Sequence, residues 1–192
     1  MELSKTQLQF PLSSKKIIKK TIVNSIIFII LGIVGLFSLV AVSLTGISAT
    51  TSYVLPLIIL NILGILVLIL LVYFYQKWYF NTYFYDLGAD FIIIRKGPIT
   101  PREITIPYER VQDVYVDQDL FDRFFKLYDV HLSSATSTSG MEAHIDGVEK
   151  NSADGLRTIL LETINQRISR KSNSQPQNFP QTNITNGQPN IS

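Results

Sequence analysis

Hydrophobic positions along this chain fall into two regimes. From Thr21 to Tyr75 they run almost unbroken, without a single charged side chain; beyond Gln76 they shorten to stretches that alternate with polar positions. Two runs dominate the first regime, residues 21–44 (TIVNSIIFIILGIVGLFSLVAVSL) and 53–75 (YVLPLIILNILGILVLILLVYFY). At about 1.5 Å of rise per residue, each is long enough to cross a hydrocarbon core of about 30 Å. A cleavable signal has an apolar region of only about 7–15 residues, so the first run is too long for one. The pattern predicts a basic segment over 1–20, a transmembrane helix over 21–44 and an external loop over 45–52. A second transmembrane helix follows over 53–75.

The second regime reads as a small β-rich domain over 76–170. Strands are predicted at Trp78–Asp86, Phe91–Arg95, Arg102–Pro107, Val111–Asp117, Tyr128–Ser134 and Met141–Ile145, separated by Gly, Pro and Asp turns. In VQDVYVD, Val114 and Val116 share one face and Asp113, Tyr115 and Asp117 the other, the period of a half-buried strand. Asp119–Lys126 (DLFDRFFK) spaces its apolar residues as one or two helical turns. From about Ser152 to Ser169, Leu156, Ile159, Leu160, Thr163 and Ile164 trace one helical stripe, capped by Asn151 or Ser152. The Asn-, Gln-, Ser- and Pro-rich tail, 171–192, has no apolar period and is expected to be disordered. The fold class is therefore α+β: a two-helix transmembrane hairpin, then a strongly bent sheet or partly open barrel with a C-terminal capping helix.

Charge sets the orientation. Lysines crowd before the first span (KKIIKK) and Lys77 follows the second, while the connecting loop is uncharged. The positive-inside rule then places the chain in the cell membrane with both termini cytoplasmic. Within the spans, Asn61 lies at a depth level with about Gly35 to Ser38. Its amide is expected to pack against that helix, bonding Ser38 or a second copy of Asn61 in a homo-oligomer. No Asp, Glu, Lys, Arg or His falls inside either span, which argues against a proton relay or ion pathway.

The chemistry of the soluble part is sparse. Five of the 17 Lys and Arg and one of the 15 Asp and Glu precede residue 21, leaving twelve against fourteen beyond it. A nucleic-acid binder would show the opposite balance on its soluble domain. Without cysteine there is no disulfide, thiolate metal site or cysteine nucleophile. His131 and His144 do not have metal-ligand spacing, and His131, alternating with Val130 and Leu132, is expected to face outward. The carboxylates Asp113, Asp117, Asp119 and Asp122 lack the glycine and terminal glutamate of a calcium loop. They read as a solvated face or a docking surface for a basic partner. Ser133, Ser134, Ser137 and Ser139 belong to no nucleophile elbow, and no phosphate-cradling glycine motif occurs. Asn183 and Asn190 match the glycosylation pattern but would be idle on a cytoplasmic tail. No catalytic residue, metal site or cofactor is assigned. One basic group stands out. A strand leaving the second span must be followed by one that returns. That brings Arg95, Lys96 and Arg102 toward the headgroups beside Lys77, as anionic-lipid contacts or as an ordinary charged hairpin tip.

Taken together, YFYDLGADFIIIRKGPI, REITIPYERVQDVYVDQDLFDRFFKLYDVHL and the closing helix resemble the bacterial membrane-flanked domain of pleckstrin-homology-like (PH-like) fold, the YdbS type. The resemblance covers Tyr83–Ile164 and the preceding hairpin. It implies a PH-like fold behind a pair of membrane helices and a membrane-tethered module without catalysis. Two departures are visible: Lys126 where members often carry glycine after the small helix, and SSATSTSG where a glycine-rich loop is usual. The reading that results is a non-catalytic module docking a protein partner, or assembling a complex, at the cytoplasmic membrane face. Direct binding of anionic lipid headgroups is the alternative, and an enzyme with an unrecognised site a distant one.

Overall fold

A computed structural model describes residues 4–44, 48–134 and 143–174. The serine-rich loop at 137–140, the sites at Asn183 and Asn190 and most of the polar tail lie outside the described residues. Helix α1 (Lys5–Gln9) opens the described chain, α2 (Lys15–Leu44) and α3 (Ser48–Thr82) form the apolar hairpin, and six strands follow. These are β1 (Phe84–Leu87), β2 (Phe91–Lys96), β3 (Arg102–Pro107), β4 (Val111–Asp117), β5 (Tyr128–Ser134) and β6 (Ala143–Val148). Helix α4 (Leu120–Phe125) interrupts them between β4 and β5, and α5 (Lys150–Ser174) closes the described chain.

Both hairpin helices are long and apolar enough to span a membrane, and 11% and 0% of their most apolar windows are buried. A core helix of a soluble protein would be covered by its own fold. Apart from the faces they turn to each other these are bare, which points to association with a membrane. Their contact is close because Gly32 and Gly35 of α2 present no side chain to α3: a Cβ on Gly32 would collide with Ile65, and one on Gly35 would stand 2.9 Å from Asn61 Nδ2.

The strands form two antiparallel three-stranded meanders, β1-β2-β3 and β4-β5-β6, which do not close into a barrel. Tyr85, Ile92, Ile94 and Ile106 from the first pack against Val114, Val130, Leu132, Ile145 and Val148 from the second. The open side is filled by Ala153, Leu156, Leu160 and Ile164 of α5. This is the architecture expected of a PH-like domain. One irregularity matters for the site. Tyr128 pairs with Val148 but Val130 with Ile145, so Asp146 and Gly147 together oppose Asp129. The extra residue lets Ala143, Ile145 and Val148 all face the core while Asp146 is aimed at the hairpin. Gly147 takes φ +80°, and a Cβ there would lie 2.6 Å from Lys16 Cδ.

Several boundaries differ from the sequence expectation. Trp78–Thr82 is not strand but the last turn and more of α3, and β1 is confined to four residues. Strand β6 reaches Val148 rather than ending at Ile145, and α5 runs to Ser174, past the expected end near Ser169. The opening residues are no loose tail either. Ser4 and Gln7 form a reciprocal capping box on α1. That helix lies along the free edge of β1: Ser4 Oγ donates to Tyr85 O (2.6 Å), Gln7 Nε2 to Tyr83 O (3.1 Å), and Leu87 N donates to Thr6 Oγ1 (3.1 Å). Side chains thus satisfy an edge that would otherwise offer itself to another strand.

Candidate functional site

The start of α2 is where the hairpin and the strand lobe join. Lys16 and Lys19 are both nearly buried, and each has a carboxylate partner. Lys16 Nζ lies 2.6 Å from Asp146 Oδ1 and also donates to Asp146 O at 3.0 Å. It stands 3.9 Å from the centroid of the Tyr83 ring as well. Lys19 reaches Asp119 at 3.1 Å and pairs with the fully buried Asp122. Lys20 approaches the second Asp146 oxygen at 3.6 Å, and Lys15 pairs with Glu149 at 3.0 Å on the surface. Lysines that read as flanking charges therefore clamp the hairpin to the lobe. Of the acidic set only Asp122 is buried, against Lys19; Asp113, Asp117 and Asp119 are exposed as expected, Asp119 also reaching Lys19 and Asp117 lying 3.1 Å from His131 Nε2.

Above this clamp is a cavity of about 360 Å³. Lys16, Lys20, Ile17 and Asn24 of α2 wall one side, Tyr75, Gln76, Tyr79 and Phe80 of α3 another, and Lys96, His144 and Asp146 of the strand lobe the third. Three ammonium groups face one carboxylate there. Burial alone would raise the Asp146 carboxyl; the charges of Lys16, Lys96 and Lys20 outweigh it and hold the group well below the usual carboxylate range. Burial pushes the Lys96 ammonium down to about 8, with Lys16 and Lys20 adding to the effect and Asp146 opposing it. The cavity is thus cationic and lined by amide and phenol groups that can donate to an anion.

Of the four basic residues singled out in the sequence, the structure brings only Lys96 to this cavity. Arg95 is engaged across the ladder with Glu103 (Nε–Oε2 2.9 Å), and Arg102 and Lys77 are exposed. Lys16, Lys20 and Asp146 were not read as site residues, because their proximity spans some 130 positions of chain. In the hairpin, Asn61 does face Gly35, but Ser38 donates within its own helix to Gly35 O at 2.7 Å, and Asn61 Oδ1 is buried without a hydrogen-bond partner among the described residues. His131 does face away from the core, opposite Val130 and Leu132, but its neighbours on that face cover it. It is only 14% exposed, stacked between Tyr115 and His144 at ring distances of 4.9 and 5.2 Å. Cross-strand stacking of three rings on one sheet face explains the burial.

An antiparallel two-sheet lobe capped by a C-terminal helix, carried behind an apolar helical hairpin, defines a membrane-associated PH-like domain. Residues 16–164 match the family model described as Bacterial PH domain, and the chain belongs to that family. The match begins at the clamp lysine Lys16, so the family unit includes the hairpin as well as the lobe; it does not single out the YdbS type. No curated protein and no solved structure matches the chain.

Proposed function

We propose that this chain is a non-catalytic, membrane-anchored PH-like module that holds an anionic lipid headgroup in the cavity between hairpin and lobe, at the cytoplasmic face. One observation carries the reading: three lysines against a single carboxylate surround a cavity placed at the ends of the charge-free stretch. Lys20 immediately precedes that stretch and Tyr75 ends it, which is headgroup depth for both helices. A phosphate there would meet Lys20 and Lys96 as point charges and Asn24 and Gln76 as donors. Of the four carboxylates that could offer a docking surface to a basic partner, Lys19 engages two. The lipid reading therefore ranks first.

Full-length protein in nanodiscs of mixed neutral and phosphatidylglycerol lipid, analysed by native mass spectrometry, tests the proposal. Retention of anionic lipid over neutral lipid is expected. It should fall several-fold in the Lys20→Gln/Lys96→Gln variant and above about pH 8, where Lys96 loses its charge. Equal retention of both lipids, or no change in the double variant, would sink it.

A further inference from the structure

Helix α4 leaves large apolar side chains uncovered. Leu120 is 82% exposed, Phe124 80% and Phe121 38%. At about 100° per residue these three occupy one arc of the helix, while Asp122 faces the opposite way. Asp122, fully buried, is the side by which α4 is held: it pairs with Lys19 of α2, and the N-cap carboxylate of Asp119 joins the same ammonium at 3.1 Å. Lys19 is two residues before the charge-free stretch, so the ion pairs fix α4 at the rim of the membrane-spanning hairpin. Ile22, one turn deeper on the same side of α2 as Lys19, is itself 42% exposed, so the bare surface of the hairpin begins within a turn of the residue that holds α4. Arg123 and Lys126, both exposed, stand beside the arc with the charge that anionic headgroups attract.

We infer that α4 is an interfacial anchor: Leu120, Phe121 and Phe124 sit in the headgroup–acyl boundary of the bilayer beside α2. A short amphipathic helix with aromatic and leucine side chains on one face and basic residues at its flank suits that layer. The occupant is the lipid surface and not a second protein, because the ion pairs to Lys19 hold α4 two residues from the start of the bare, charge-free stretch and because Arg123 and Lys126 flank the patch. The anchor adds a second membrane contact, separate from the cavity, and fixes how the lobe is tilted over the bilayer.

Because the chain has no cysteine, Phe124→Cys supplies a single labelling site on the full-length protein, with Thr158→Cys on the exposed face of α5 as reference. Each is labelled with an environment-sensitive fluorophore and reconstituted in liposomes. At position 124 the expected result is blue-shifted emission, quenching by nitroxide lipids labelled near the headgroup, and several-fold weaker quenching by aqueous iodide than at 158. Iodide quenching equal to the reference would overturn the inference. Shielding from iodide without lipid quenching would overturn it too, since that is the signature of a second copy or a protein partner. Repeating the measurement in the Lys20→Gln/Lys96→Gln background should leave the pattern unchanged, which separates the anchor from the headgroup cavity.

Discussion

The Lys16 ammonium and the Asp146 carboxylate meet at 2.6 Å with only 3% and 8% of their side chains exposed, joining the first turn of the hairpin to the last strand of the lobe. A pair so buried contributes little net stability over an apolar substitute, because both charges had to leave water. Its asymmetry is what counts. Asp146→Ala strands Lys16 without its partner and leaves Lys96 and Lys20 unopposed, a loss of about 3–5 kcal/mol. Lys16→Met keeps the volume and leaves Asp146 near two other cations, so it should cost far less. Thermal unfolding in mild detergent should rank the two in that order; equal midpoints would contradict the clamp.

Asp129 sits across the bulge, accepting from Gly147 N at 2.7 Å. Burial, then the charge of Asp146, pushes its carboxyl up to about 6. The unfolded value is about 3.9, so the folded state holds this proton more tightly. The contribution is complete below about pH 4 and is lost as pH rises through about 6. Asp129→Asn keeps the acceptor for Gly147 and removes the titration. It should flatten that fall and raise the unfolding midpoint at pH 7, measured as melting temperature against pH.

Lys126 ends α4 at φ +57° and ψ +41°, the left-handed position that glycine fills most cheaply. Its N–H closes the helix onto Arg123 O at 3.4 Å, and Leu127 N bonds Asp122 O at 2.9 Å. Lysine adopts here the backbone that a glycine would adopt at lower cost. Lys126→Gly should stabilise the protein by about 0.5–1 kcal/mol, since relief of left-handed strain exceeds the added freedom of the unfolded chain. A lowered melting temperature would count against this account.

Thr6 serves β1 twice, accepting from Leu87 N at 3.1 Å and donating to Asp86 Oδ1 at 2.9 Å. Thr6→Val keeps the shape and removes both bonds, leaving an edge amide unpaired at a cost of about 1–3 kcal/mol. Hydrogen exchange should quicken at Leu87 and stay unchanged at Ile94, which lies in the next strand. Unchanged protection at both would show that α1 does not hold this edge.

How far the sequence exposes this molecule depends on the distance over which each signal acts. The hairpin, the alternation in β4 and the stripe of α5 are local patterns, and each was readable. The Trp78–Thr82 segment misled because its aromatic residues favour strands, whereas a helix already formed through Gln76 continues at little cost. The docking of α1 was hidden by its five residues, too few for an apolar period; the capping box at Ser4 and Gln7 was its only trace. Least legible was the site. Lys16 and Lys20 look like any positive flank until β6 carries Asp146 to them, and only the bulge at Gly147 turns that carboxylate toward the hairpin.

The edge-covering helix has one more implication. Lys16 meets the final strand some 130 positions further along the chain, with two apolar helices between. A fragment beginning after the second helix would lack Gln7, Lys16 and Lys19, and so would expose a raw β1 edge and leave Asp122 and Asp146 without their ion-pair partners from α2. Helix α1, the hairpin and the lobe thus form one packed unit, tied by contacts far apart in the chain.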